Sequence, residues 1–344
     1  MATSTQTYEV EVADVEYLRH GDTPLMARVY KPQGVGPFPI MVELHGGAWV
    51  RGDRLNGDSA NEALAKLGVI VAALDFRMPP DGPYPASMAD IHYGVRWCKT
   101  QAAEWNGRPD AIGAMGTSSG AHQAVLLGMR PNDPRYAELS LPAGAEEVDG
   151  TLGCVIPISP VIDPLGRYHY AQGLREDVTP PDGMATENVV KSHDAYWQTE
   201  EAMAEAAPAR ILAGGERTAL PPALCVARSY EAAHPRPDLD EFIEQYRKAG
   251  GQIDVHIFEG TEQRDVHVDY NDRVEVHYTL WDADTDEQLD EGTLWVTAGN
   301  DPAYIDGFEW SAIGLDIDSD RGGGYPVVDT GISHITLLPP PIAY

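Results

Sequence analysis

Two kinds of hydrophobic pattern alternate along the chain up to about residue 260. Short apolar runs, typical of buried strands, occur at 40–44, 69–74, 111–115, 153–159, 222–227 and 253–258. Between them, segments with the apolar spacing of amphipathic helices occur at 61–67, 87–99, 121–129 and 239–249. Strands that alternate with helices predict a parallel sheet with right-handed crossovers. The stretches at 8–17 and 25–30 alternate apolar with polar residues, which predicts half-buried strands near a sheet edge.

The pattern changes after residue 265, where the chain becomes acidic and strand-like throughout. Residues 273–280 and 292–298 alternate apolar with polar positions, and residues 335–338 form a further short apolar run before three consecutive prolines. The sequence therefore predicts a domain boundary near 262–272. We expect an α/β domain at 1–263 and a mostly-β domain at 264–344.

Composition limits the function of this 344-residue chain, which is long enough for two domains. Its 54 acidic and 24 basic side chains give a formal net charge of −30. Such a field repels nucleic acid and anionic membranes, so both are excluded as partners. The charge is compatible with a protein from a salt-rich source and equally with an acidic mesophilic protein.

Neither a cofactor nor membrane insertion is indicated by the sequence. Residues 1–11 lack the basic and apolar regions of a signal peptide, so we expect a soluble, cytoplasmic protein. Cys98, Cys154 and Cys225 are an odd number of widely spaced cysteines. Their spacing suggests neither a disulfide framework nor a metal site, and no cofactor is expected.

Candidate chemistry begins at GTSSG, residues 116–120, between a predicted strand and a predicted helix. A serine on such a sharp turn has strained backbone and an exposed hydroxyl, and the following helix N-terminus favours negative charge nearby. Ser118 is therefore the candidate nucleophile. An ordinary serine-rich turn has the same short pattern and remains the alternative.

A second glycine motif, HGGAW at 45–49, follows the predicted strand at 40–44. Acyl transfer by a serine requires N–H donors aimed at the developing oxyanion, and glycines allow the backbone to approach a substrate closely. Gly46, Gly47 and Ala48, together with the N–H of Ser119, are the candidate oxyanion hole. The alternative is a tight strand exit, but the two motifs in this order are more specific than either alone.

With these motifs and with residues 68–78 and 84–97, the chain resembles α/β-hydrolases of the hormone-sensitive-lipase and feruloyl-esterase-like type. The resemblance covers about 20–260 and implies a mostly parallel sheet with a small cap, and hydrolysis of carboxylic esters. We place the cap at about 160–207, where the chain is polar, aromatic and interrupted by prolines. Four cap aromatics either line an acyl pocket or pack the cap: Tyr168, Tyr170, Tyr196 and Trp197.

The resemblance also implies a carboxylate after the strand at 222–227 and a histidine after the strand at 253–258. Glu231 occupies the matching acidic position, with Asp238 as the fallback. Gln263 stands where the histidine is usual, and glutamine cannot accept a proton near neutral pH. His267, four residues further on, is the best substitute for the base, while His234 is a remote alternative. His122 and His256 are interpreted as structural.

The segment from about 265 to 344 resembles FKBP-type peptidyl-prolyl isomerases, through residues 272–292, 297–315 and 335–344, although it stops short of that family's last strand. The resemblance implies a prolyl pocket formed by Tyr278, Asp290, Tyr304, Ile305, Phe308 and Tyr344, with Leu289 and Leu294 where phenylalanine is usual.

Two functions follow from these motifs. The first is a serine hydrolase that cleaves small-molecule carboxylic esters through an acyl-enzyme, with Ser118, His267 and Glu231 as its triad. The second is an impaired hydrolase joined to a module that binds or isomerises prolyl peptides, which Gln263 and the FKBP resemblance motivate. The sequence leaves the oligomeric state open.

Overall fold

The structure is a computed structural model that describes residues 7–175, 185–229 and 232–258, together with the backbone of three strands further along the chain. The chain folds into two compact units, residues 1–260 and 261–344. Each unit is described by itself below.

The first unit contains strands and helices in alternation after an initial hairpin. Its strands are β1 (Glu9–His20), β2 (Thr23–Gln33), β3 (Phe38–Leu44), β4 (Ile70–Leu74), β5 (Gly107–Thr117), β6 (Val155–Ile158), β7 (Ala223–Arg228) and β8 (Ile253–Phe258). Its helices are α1 (Asp58–Lys66), α2 (Ala86–Gln101), α3 (Ser119–Met129), α4 (Pro164–Gly173), α5 (Thr186–Trp197), α6 (Glu200–Glu205), α7 (Pro208–Ala213) and α8 (Arg236–Lys248).

These strands form one eight-stranded sheet in the order β1-β2-β4-β3-β5-β6-β7-β8. The pairs β1/β2 and β2/β4 are antiparallel, and the remaining neighbours are parallel. The predicted α/β sheet is thus confirmed, with β1 at one edge. In the register of β3 and β5, Leu44 lies opposite Gly116, so the HGGAW and GTSSG segments leave adjacent strands at the same level.

The alternation of side chains along β3 divides the core between the two faces of the sheet. Ile40, Val42 and Leu44 are buried in the larger cluster, which contains apolar residues of α2 and α3. Met41 belongs to a smaller cluster with Ala65 of α1 on the other face. Glu43 points to this smaller cluster, where burial raises the pKa of its carboxyl to about 7.

The buried carboxylate of Asp90 in α2 holds both the β1–β2 hairpin and the segment that follows β4. Asp90 of α2 is fully buried and accepts hydrogen bonds from the backbone N–H of Arg77 at 2.9 Å and from its guanidinium at 2.8 Å. His20, at the end of β1, lies 2.8 Å from the same carboxylate. Charge-assisted and forked bonds of this kind are among the strongest in proteins, so the sheet edge is held rigidly.

In the second unit the structure describes the backbone of β9 (Arg273–Trp281), β10 (Gln288–Thr297) and β11 (His334–Leu338). They form an antiparallel sheet in the order β10-β9-β11. Strands were predicted at each of these places. The FKBP resemblance itself depends on side chains and segments outside the described residues, including Tyr278, Asp290, Tyr304, Ile305, Phe308 and Tyr344.

Across the described parts of both units, no helix combines the length and the apolar character that crossing a bilayer requires.

Candidate active site

Ser118 lies on the turn between β5 and α3, as the sequence predicts. Its backbone angles are φ 53° and ψ −112°, in the positive-φ region that residues with a β-carbon rarely adopt. The turn is held because the Ser118 N–H donates to the Ile158 carbonyl at 2.9 Å and the Ser118 carbonyl accepts from the His122 N–H at 3.1 Å. Strain that neighbouring bonds hold in place is typical of a functional turn.

The glycines that flank Ser118 are required by close packing between backbones. An added Cβ at Gly120 would lie 2.1 Å from the Leu44 carbonyl oxygen, and one at Gly116 would lie 2.5 Å from the Gly120 carbonyl carbon. No side chain fits at either position without moving a strand or the helix. The G-x-S-x-G spacing therefore reflects how closely β3, β5 and α3 approach each other.

The HGGAW loop turns sharply against this serine. Three successive residues have positive φ: Gly47 at 108°, Ala48 at 53° and Trp49 at 64°. An ideal Cβ on Gly46 would lie 3.1 Å from the Thr117 carbonyl oxygen and 3.6 Å from the Ser118 Cβ, so the loop directly adjoins the nucleophile turn. The structure thus brings together the segments expected to form the oxyanion hole, beside Ser119 at the N-terminus of α3.

Two buried aromatic side chains anchor the ends of this loop. His45 stacks on Phe76 with ring centroids 4.3 Å apart, and its Nδ1 lies 2.8 Å from the Gly46 carbonyl oxygen. Burial lowers the pKa of His45, which favours a neutral ring. Trp49 is 1% exposed and stacks on Tyr196 of α5 at 5.5 Å. The strained loop is therefore held at its first residue by the core, through Phe76, and at its last by the cap, through Tyr196.

Two of the four cap aromatics, Tyr196 and Trp197, pack against Trp49. Tyr196 and Trp197 are 0% and 2% exposed, so the structure favours the packing alternative for both. Tyr168 is also buried and donates a hydrogen bond to Asp194 at 2.6 Å. Tyr170 is half-buried against the same core.

His122 completes this aromatic cluster and is structural, as the sequence suggested. Its Nε2 lies 2.9 Å from the Ala206 carbonyl oxygen, and its Nδ1 accepts from the Trp49 indole N–H at 3.4 Å. These two partners require the proton on Nε2. Burial lowers the pKa of His122 to about 4, so the ring is neutral at physiological pH.

Among the residues that the structure describes, His234 lies beside Ser118. Its Nε2 lies 3.0 Å from the Ser118 Oγ, within the range expected for a nucleophile and its base. The sequence made His234 a remote alternative for the base, whereas the structure places it within hydrogen-bond distance of Ser118. His267 and Glu231, the predicted base and orienting carboxylate, lie outside the described residues, as does Gln263.

His234 reaches Ser118 because the loop between β7 and α8 ends at the same sheet edge as the nucleophile turn. β7 is two strands from β5, and both are parallel strands whose carboxyl ends meet at that edge. The signal in the sequence was a histidine in the loop that follows a parallel strand, six residues after the end of β7. The resemblance implied a carboxylate in this loop and a histidine after β8.

Two further features border His234. The Arg167 Nε donates to the carbonyl oxygen of the preceding residue, Ala233, at 2.7 Å. A cavity of about 10 Å³ lies beside the imidazole and is lined by Ser159, Pro160, Ala227, Arg228, His234, Arg236 and Leu239. A space of this size holds about one water molecule.

Asp238, the fallback carboxylate, lies in the first turn of α8, near the charged side chains of Asp163 and Arg210. Burial, with the nearby Asp163 carboxylate, raises the pKa of Asp238 to about 6, while Arg210 opposes that rise. Arg210 donates to both oxygens of Asp163 at 2.8 Å. Among the residues that the structure describes, no group of three His, Cys, Asp or Glu side chains is arranged to hold a metal ion.

The mixed eight-stranded sheet, with a strained serine turn after β5 and a glycine loop after β3, defines an α/β-hydrolase fold. Residues 28–173 match the family model described as BD-FAE.

Curated relatives match part of the chain. A probable carboxylic ester hydrolase, LipM of Mycobacterium tuberculosis, is 33% identical over 129 residues, which cover 37% of this chain and 29% of the relative. Carboxylesterase NlhH of the same species is 31% identical over 148 residues, covering 38% of this chain and 46% of the relative. The chain thus spans less than half the length of these relatives.

Solved structures share the fold at lower identity. Esterase LipW from Mycobacterium marinum superposes with a TM-score of 0.58 at 22% identity, covering 73% of this chain and 72% of that one. A Thermogutta terrifontis esterase with propionate bound has a TM-score of 0.54 at 24% identity, covering 75% and 85%. With the family match over residues 28–173, these comparisons support an α/β-hydrolase fold.

Proposed function

We propose that this protein is a serine hydrolase of small-molecule carboxylic esters. The observation that carries the proposal is the 3.0 Å approach of the His234 Nε2 to the Ser118 Oγ on a strained turn beside the HGGAW loop. The partial matches to carboxylic ester hydrolases from Mycobacterium tuberculosis support it.

In the proposed mechanism His234 is the general base in place of His267. With its proton on Nδ1, the imidazole accepts the Ser118 hydroxyl proton at Nε2, and Ser118 Oγ attacks the acyl carbon. The imidazolium then returns this proton to the departing alcohol. Glu231, three residues before His234 on the same loop, stays our prediction for the carboxylate that orients the ring.

The oxyanion forms beside the HGGAW loop, where the N–H groups of Gly47, Ala48 and Ser119 are the proposed donors, with Gly46 allowing the close approach. A water molecule then cleaves the acyl-enzyme, with His234 again accepting a proton.

Hydrolysis of p-nitrophenyl butyrate by four proteins tests this proposal: wild type, Ser118→Ala, His234→Ala and His267→Ala. We expect a burst of p-nitrophenol with wild type and with His267→Ala. Ser118→Ala should be inactive, and His234→Ala should lose on the order of 10³-fold or more in kcat, because the base of a serine triad acts only in the chemical steps. Loss of activity in His267→Ala with activity retained in His234→Ala would assign the base to His267 instead.

For the second unit we propose that it binds prolyl peptides, because its sequence resembles FKBP-type peptidyl-prolyl isomerases. Three antiparallel strands at 273–281, 288–297 and 334–338 are compatible with it. A prolyl-isomerisation assay on the full chain tests this proposal, with Tyr278→Ala and Phe308→Ala as pocket variants. No rate enhancement and no binding of a prolyl peptide by the wild type would refute it.

A further inference from the structure

An arginine of α4 is buried next to the proposed base without a carboxylate partner. Arg167 is 5% exposed, and its Nε donates to the Ala233 carbonyl oxygen. Its Nη1 is shielded from solvent and makes no hydrogen bond. Within the described parts of the chain, Arg167 forms no ion pair, and burial alone accounts for a pKa lowered to about 10.

Three less buried arginines of this acidic protein are paired with carboxylates, whereas Arg96 of α2, at 7% exposure, donates like Arg167 to a backbone carbonyl, that of Leu139. Arg77 is paired with Asp90 at 2.8 Å, Arg54 with Asp75 at 2.9 Å and Arg210 with Asp163 at 2.8 Å. A buried cation without an anion is strongly unfavourable. Its retention beside a reactive site is therefore more consistent with binding than with stability.

The position of Arg167 connects it to both sides of the reactive pair. Upstream of its helix, the Val161 N–H donates to the Ser118 carbonyl at 3.3 Å, and Arg167 follows in the first turns of α4. On the other side, its bond to Ala233 places the guanidinium one residue from His234. The Nε bond also fixes the orientation of the planar group, and Nη1 is left with its hydrogen-bonding capacity unused.

We propose that Arg167 binds a carboxylate on the acyl group of the substrate, so that the preferred substrates are half-esters of dicarboxylic acids. A carboxylate supplies the missing counter-ion and accepts hydrogen bonds in the fork geometry of a guanidinium. The acyl side is assigned because Arg167 is buried, and the acyl group stays in the site while the alcohol departs to solvent. This inference rests on the proposed esterase function.

A pair of esters of similar size tests the inference. Mono-p-nitrophenyl glutarate carries the free carboxylate and p-nitrophenyl pentanoate lacks it, and kcat/KM is measured for both after subtracting spontaneous hydrolysis. We expect Arg167→Gln to lower the glutarate-to-pentanoate ratio of kcat/KM about 10- to 100-fold, mainly through KM of the glutarate ester. The ratio cancels any loss that arises from a displaced His234 loop.

Arg175→Gln is the matched control, because it removes one positive charge from an exposed arginine just after the same helix, paired with Glu187. That variant should leave the ratio unchanged. An equal loss for both esters in Arg167→Gln would overturn the inference and leave Arg167 with only the role of holding the loop.

Binding without turnover separates this inference from the proposed function. Monomethyl glutarate should raise the Tm of Ser118→Ala in a concentration-dependent manner, and methyl pentanoate should raise it less. The rise should vanish in the double variant Ser118→Ala/Arg167→Gln. This result supports the carboxylate site even if neither p-nitrophenyl ester is cleaved, whereas no shift in Ser118→Ala at millimolar ligand refutes it.

Discussion

At the scale of single residues, Gly120 shows how little freedom the nucleophile turn has. The nearest atom to an added Cβ is the backbone oxygen of Leu44 in the central strand β3, which cannot rotate away. We expect Gly120→Ala to lower the free energy of unfolding by roughly 2–4 kcal/mol and to abolish esterase activity.

Gly173→Ala is the control for this substitution. Gly173 ends α4 and has no heavy atom within 4 Å of an added Cβ, so this variant should be neutral or slightly stabilising. Urea unfolding and p-nitrophenyl butyrate hydrolysis measure both effects. Equal stability of the two variants would contradict the packing argument.

At the scale of single residues, the buried ring of His122 makes the free energy of unfolding depend on pH. Burial lowers its pKa from 6.5 to about 4, so between these pH values the unfolded chain binds a proton that the folded chain does not. Titration of His122 therefore leaves the free energy of unfolding unchanged above about pH 6.5. It lowers that free energy by up to about 3 kcal/mol as the pH drops from there to about 4.

His122→Gln keeps a donor for the Ala206 carbonyl and removes the titrating ring. We expect the free energy of unfolding of this variant to depend less steeply on pH between about 6.5 and about 4 than that of the wild type. Urea unfolding at several pH values in that interval measures the difference. Parallel curves would show that His122 is not held neutral in the folded protein.

Residue chemistry was predictable where a local motif determines it. The glycines around Ser118 and in the HGGAW loop were found from the sequence because tight backbone approach permits few alternatives. The position of His234 was not, because it depends on which strand is adjacent to which and on the path of one loop. The buried cation Arg167 left no sequence signal at all, since its neighbours come from distant parts of the chain.

At the scale of elements, the aromatic cluster couples the cap to the HGGAW loop. Trp49 contacts Tyr196 and Trp197 of α5 and His122 of α3, so one side chain joins three parts of the fold. The positive φ angles next to it persist only while this anchor holds the loop.

Trp49→Leu tests that coupling. We expect a loss of about 2–4 kcal/mol in the free energy of unfolding, from lost apolar burial and aromatic contacts. We also expect at least about a tenfold loss of kcat for ester hydrolysis, because small displacements of catalytic groups lower rates sharply.

The comparison variant is Trp97→Leu in α2, since Trp97 is likewise buried but contacts Tyr17 and Trp105 rather than the loop. It should lose stability while kcat is preserved, measured at a temperature where circular dichroism shows both variants to be folded. A comparable fall of kcat in both would rule out a specific role for the Trp49 anchor.

Elements were the part of the fold that the sequence predicted best. The six apolar runs between 40 and 258 correspond to strands of the sheet, because burial on both faces of its central strands demands such runs, although β8 at the edge is largely exposed. The division of the cap into α4, α5, α6 and α7 was not predicted, since its polar composition and prolines obscure helical periodicity.

At the scale of the whole molecule, the net charge of −30 makes stability depend on salt. Salt screens the repulsion among exposed carboxylates beyond a distance of about 30 Å at 0.01 M and beyond about 3 Å at 1 M. We expect Tm to rise by several degrees as NaCl increases from about 0.01 M to about 0.5 M. Sucrose at matched osmolality controls for general solute effects, and an equal rise in sucrose would contradict the electrostatic cause.

The proposed catalytic pair has a consequence for how this chain evolves. Ser118 and His234 both precede residue 259 and belong to the first compact unit. Recombination after that residue can therefore exchange, lengthen or delete the following segment without separating nucleophile from base. The proposed nucleophile and base are thus inherited together in any such exchange.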